Sequence, residues 1–159
     1  MAKARTTIGI PEKNLQKIAL ELNKALADEF VLYTKTRNYH WNVTGSNFME
    51  MHKFYEGQYE QLDTVIDDMA ERIRAIGHHA EARLSDYIEL TNLVEQQYTD
   101  DQNKQLGILL DDHETIIRNL RRLTGEFTDK LGDVGTADFV TGVMEMHEKM
   151  AWMIRSYLQ

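Results

Sequence analysis

No cysteine occurs anywhere in the 159 residues. That excludes disulfides and thiolate metal sites and leaves the redox compartment unspecified. Proline occurs once, at Pro11, so nothing in the covalent chain interrupts a helix further on. No run approaches the roughly 18–20 apolar residues that a membrane-spanning helix needs. The opening MAKARTTIGIPEKN carries early basic residues but no apolar core of the signal-peptide kind. A cytoplasmic location is therefore the expectation, and Asn42-Val43-Thr44 reads as a chance glycosylation sequon. Basic residues are also outnumbered, 18 Lys and Arg against 26 Asp and Glu, for a net charge of −8. Such a balance opposes broad binding to nucleic-acid phosphates and favours attraction of cations.

What is present is helix-forming. Leu, Ile, Met, Ala, Glu, Lys and Arg dominate a chain long enough for one domain with a substantial core. Residues 1–10 are expected to be a flexible tail. Pro11 then marks the first turn of a helix on which Leu15, Ile18, Leu22, Leu26 and Tyr33 recur at helical spacing, to about Asn38. After a turn at Gly45, a second helix begins near Ser46 or Asn47. Its seam of Phe48, His52, Tyr55, Tyr59, Leu62, Ile66, Met69, Ile73 and Ile76 alternates steps of four and three, and Gly77 ends it. A third helix is predicted from about Asp101 to Phe127, and a fourth after Gly132-Asp133-Val134-Gly135-Thr136. Short connections make each of these pairs antiparallel. The stretch from His79 to Asp100 is too long for a tight turn and holds a short helix with Ser85 as its cap. An all-α, four-helix bundle with a short helix in one long middle crossover is the ferritin-like arrangement.

Four residues of the second-helix region have transition-metal chemistry: His40, His52, Asp67 and Glu71. The usual intrabundle iron site needs Glu three residues before a His. The residues at that position are Arg37, Met49, Ala75, Ile76, Leu110 and Met144, so that site is not expected. Asp67 and Glu71 lie one turn apart and can share an ion. His52, however, precedes Asp67 by a distance of about 22 Å along a straight helix. Metal bonds are about 2.0–2.2 Å long, so the four cannot meet within one chain. They meet only if the histidine end of one second helix faces the carboxylate end of another across a two-fold axis. The metal reading therefore requires an oligomer. Zinc and manganese suit the same ligand types as iron.

His40-Trp41-Asn42-Val43, Gly45, Phe48, His52, Asp67 and Ala70-Glu71-Arg72 together resemble the signature of the Dps family, the small ferritins of starved bacterial cells. The resemblance implies a hollow shell of twelve subunits that oxidises Fe(II) at inter-subunit sites and stores ferric mineral. His40 and His52 would come from one subunit, Asp67 and Glu71 from its partner. Hydrogen peroxide would be the preferred oxidant, and protection against oxidative stress the result. Where the family often has aspartate as a bridging or second-metal ligand, this chain has Glu56. Trp41 and Trp152 resemble the family's radical-trapping tryptophans, or else are packing residues. Glu56, Glu60 and Asp63 would help nucleate mineral if they face the cavity. Among Asp129, Asp133 and Asp138, only Asp138 is expected at an entry pore, with helix capping the alternative for all three. His78 and His79 read as surface residues, and His113 and His147 as making ordinary hydrogen bonds. The alternative function is physical compaction of DNA. The tail offers only Lys3 and Arg5 for that, so DNA binding is expected to be weak or absent.

Overall fold

The computed structural model describes residues 6–159. Its long helices are α1 (Glu12–Asn42), α2 (Phe48–Ala75), α4 (Gln102–Glu126) and α5 (Val134–Tyr157), with the short α3 (Leu84–Leu90) between α2 and α4. Helix α1 packs on α2, α4 packs on α5, and α3 lies against α1. Leu15, Leu22, Leu32, Tyr55, Leu62, Met69, Leu109, Leu120, Val140 and Ile154 fill the space between the four long helices. This is the ferritin-like bundle that the periodicity and the long crossover predict.

The boundaries depart from the sequence expectation in ways that matter. Helix α1 continues beyond Asn38 to Asn42, so His40 lies in its last turn. Arg83, not Ser85, occupies the cap position of α3. Its far end is tied down by Asp28 of α1, whose carboxylate accepts from Thr91 and from the backbone and side chain of Asn92. Helix α4 runs into a π-helical turn, Phe127–Leu131, closed by Gly132 at φ 71°, a left-handed conformation that glycine adopts without strain.

Helix α5 begins at Val134, earlier than its glycine-rich start implies. The cause is Asp133, whose side chain accepts from the Thr136 backbone N–H. That cap outweighs the poor helix propensity of Gly135. Gly77 is left-handed as expected, at φ 92°. Thr6 lies so close over it that an added Cβ would meet Thr6 Oγ1 at 2.0 Å.

Two polar constructions cross the core. Lys35 and Asp112, both buried, form an ion pair at 2.5 Å, and Lys35 also donates to Val94 O. Deeper still, His113 and His147 meet at 2.8 Å through their Nδ1 atoms. The other face of His147 donates from Nε2 to both oxygens of Glu29, at 2.9 and 3.1 Å. None of these three has measurable exposure. The two histidines thus make hydrogen bonds, as expected, but in a fully buried chain across three helices.

Candidate metal centre

The extension of α1 and the start of α2 bring His40 against His52. Their rings stack with centroids 3.7 Å apart and planes 21° from parallel. Each ring is held by the other residue's backbone: His40 Nδ1 lies 2.8 Å from His52 O, and His52 Nδ1 lies 2.9 Å from His40 O. A carbonyl oxygen only accepts, so each Nδ1 carries the hydrogen. In the neutral rings both Nε2 atoms are left with free lone pairs. Pinning one nitrogen to a carbonyl is how metal-ligating histidines are oriented. The donor set therefore fits a divalent transition ion.

The surroundings are aromatic. Tyr59 meets His40 edge-on at 5.2 Å, and Phe48 stacks on His52 at 5.1 Å. The Arg37 guanidinium lies 5.5, 5.0 and 4.9 Å from the rings of Tyr33, Trp41 and Tyr59. It also donates to Tyr33 OH at 2.6 Å. Spacing carried a trace of this cluster, since Tyr33, Arg37 and Trp41 are one turn apart on α1. The sequence reading did not connect them to Tyr59, which arrives from α2. Trp41 is 62% exposed and Trp152 59%, so neither is a core residue of the single chain.

The carboxylates stand apart from the histidines. Asp67 and Glu71 project, exposed, from the far half of the unbroken α2, and Glu60 and Asp63, also exposed, stand near its middle. Among the described residues none of these four enters an ion pair. Nor do any three His, Asp or Glu side chains converge closely enough to hold a metal ion within one chain. Glu56 is closer to the histidines, which both act on it electrostatically, but the Lys53 ammonium beside it is what chiefly holds its carboxyl low.

The aspartates near α5 divide. Asp129 and Asp138 are exposed. Asp133 is buried, capping α5 and receiving Arg72 Nη2 at 3.3 Å. Arg72 also donates twice to Thr136 Oγ1, at 2.9 and 2.8 Å, which ties the carboxylate end of α2 to the start of α5.

The ferritin-like domain family matches residues 19–159. A "DNA protection during starvation protein 2" of Bacillus anthracis is 35% identical over 86% of this chain and 93% of its own length. The Dps protein of Vibrio cholerae O1 superposes with a TM-score of 0.92 at 31% identity, over 100% of this chain and 99% of that one.

The chain is a Dps-family mini-ferritin. A low temperature-induced protein of Nostoc sp. is also similar, 39% identical over 98% of this chain and 87% of its length. The Vibrio structure is described as one of the ferritin-like diiron-carboxylate proteins. In this chain His40 and His52 lie at the junction of α1 and α2, and Asp67 and Glu71 stand toward the other end of α2.

Proposed function

We propose that this Dps-family chain is a ferroxidase that oxidises Fe(II), with hydrogen peroxide as oxidant, and stores ferric mineral inside a shell of twelve subunits. The observation that carries the reading is the reciprocal clasp of His40 and His52, which stacks the two rings and leaves both imidazole Nε2 atoms with free lone pairs. Fe(II) is the substrate. His40 and His52 bind it from one subunit, and Asp67 and Glu71 of the partner subunit complete the site across a two-fold axis. Exposed Leu84, Ile88 and Val94 on and after α3 supply apolar surface for contact between subunits.

Two Fe(II) held together each give up one electron. The O–O bond of peroxide accepts the pair, takes up two protons and becomes two waters, so no hydroxyl radical is released. The exposed carboxylates of Glu60 and Asp63 then offer ferric ions a place to begin hydrolysis and mineral growth. Asp138 is the pore candidate, exposed and free of the cap that occupies Asp133.

Anaerobic loading with Fe(II) followed by peroxide tests this, with light scattering reporting shell size and mineral uptake together. Replacing His40 and His52 by alanine is expected to abolish the fast phase and leave the shell assembled. Unchanged peroxide-driven rates in that double variant would overturn the assignment.

Several relatives are named for DNA protection, as in Bacillus anthracis. With a net charge of −8 per chain, protection here is chemical, by removal of Fe(II) and peroxide, and DNA binding is weak or absent. A gel shift that saturates at submicromolar shell in about 0.15 M salt would contradict this.

A further inference from the structure

Glu56 stands one helical turn beyond His52, within electrostatic reach of both imidazoles, yet its carboxylate is already engaged. Its Oε2 is held by the ammonium of Lys53, three residues earlier on α2. The pairing is uneven in exposure: the Lys53 side chain is 62% exposed and that of Glu56 28%. Among the described residues this is the one ion pair that either makes. The carboxylate is thus half-buried, while the side chain that holds it is mostly in solvent and has no second ion-pair partner among the described residues to keep it there.

We propose that Lys53 is a resident counter-ion that competes with Fe(II) for Glu56 and so sets the affinity of the second metal position beside His52. The proposal rests on the ferroxidase reading above and adds a specificity-determining residue to it. A divalent ion reaching Glu56 meets a carboxylate whose negative charge is already shared with an ammonium on Oε2. Lysine suits such a role because it is a single point charge on a flexible stem, without the fixed fork that would lock a carboxylate in place. The length of glutamate matters too: an aspartate at position 56 would be one methylene shorter on the way back to Lys53. The position held by His40, His52 and the partner subunit's Asp67 and Glu71 needs nothing from Lys53 and fills first. The Glu56-dependent position fills at higher metal concentration.

The test is a double-substitution cycle on the assembled protein, read by anaerobic titration calorimetry and Co(II) absorption, with no turnover involved. The wild type is expected to bind Co(II) in a tight phase and a weaker one. K53M tightens the weaker phase by about two- to five-fold, the range of an exposed ion pair, and leaves the tight phase in place. E56Q weakens that second phase, and in the E56Q background K53M has no further effect. A K53M titration identical to the wild type overturns the proposal. So does a K53M effect that persists with E56Q, because it would be general charge relief. Absence of any Co(II) phase in the wild type, or phases that survive loss of both His40 and His52, overturns the underlying site as well.

Discussion

His40 and His52 are each other's supports: stacked at 3.7 Å, each gives its Nδ1–H to the other's backbone carbonyl. The clasp joins the last turn of α1 to the first turns of α2 and leaves both Nε2 atoms without a hydrogen. The proposed division of the site between two subunits has a direct consequence for how activity is distributed.

A variant lacking His40 and His52 and a variant lacking Asp67 and Glu71 are each expected to be inactive. After unfolding and reassembly together, random pairing makes half of the dimers mixed, and each mixed dimer regains one of its two sites. Peroxide-driven Fe(II) oxidation is then restored to about one quarter of the wild-type rate. A mixture no more active than its components would show that the ligands do not come from two subunits.

Burial and the neighbouring His147 push the His113 imidazole well below its usual range. It stays neutral in the fold and charges on unfolding, so its contribution is complete above its unfolded pKa of about 6.5 and is lost progressively as pH falls below that value. Urea unfolding between pH 5 and 7.5 should show stability falling with acidity by up to about 1.4 kcal/mol per pH unit from this group. H113Q is expected to flatten that slope while lowering stability at neutral pH. An unaltered slope in H113Q would assign the acid sensitivity elsewhere.

Lys35 and Asp112 are both nearly closed to solvent. K35M removes the cation and leaves the carboxylate buried alone, at an expected loss of about 3–5 kcal/mol. K35M/D112L removes both charges and should recover most of it, which chemical denaturation of the three variants measures directly. Equal stability of the single and double variants would mean the ion pair is not what Asp112 depends on.

A Cβ added at Gly135 would approach Arg72 Nη2 to 3.1 Å. Alanine in place of an exposed helical glycine ordinarily stabilises by about 0.5–1 kcal/mol. G135A should therefore gain that much in an R72M background and distinctly less in the wild type, where the guanidinium is held by Thr136 and Asp133. The same gain in both backgrounds would show that Arg72 moves aside without cost.

The bundle was readable because helix packing writes itself into spacing: the unbroken alternation from Phe48 to Ile76 is a seam, and its members are buried or half-buried apart from Phe48 at its first residue, 39% exposed. Caps were less readable. Ser85 has the right chemistry for a helix start but sits inside α3, whereas Asp133 both caps α5 and receives Arg72 from a helix far away in sequence. Whether a carboxylate caps, pairs or stays free depends on what other elements bring to it, and no local pattern records that.

The same division holds for the metal centre. Ligand types, their positions on one helix and a fixed rise per residue are local quantities, and from them the sequence alone determined that His40 and His52 cannot share an ion with Asp67 and Glu71 of the same chain. The tertiary structure decided how His40 and His52 are held, through carbonyls at the junction of α1 and α2, whereas the Lys53–Glu56 pair follows from a three-residue spacing on one helix. The direction of those imidazoles arises only when the two helices are packed, because it depends on distances between atoms that the sequence does not place.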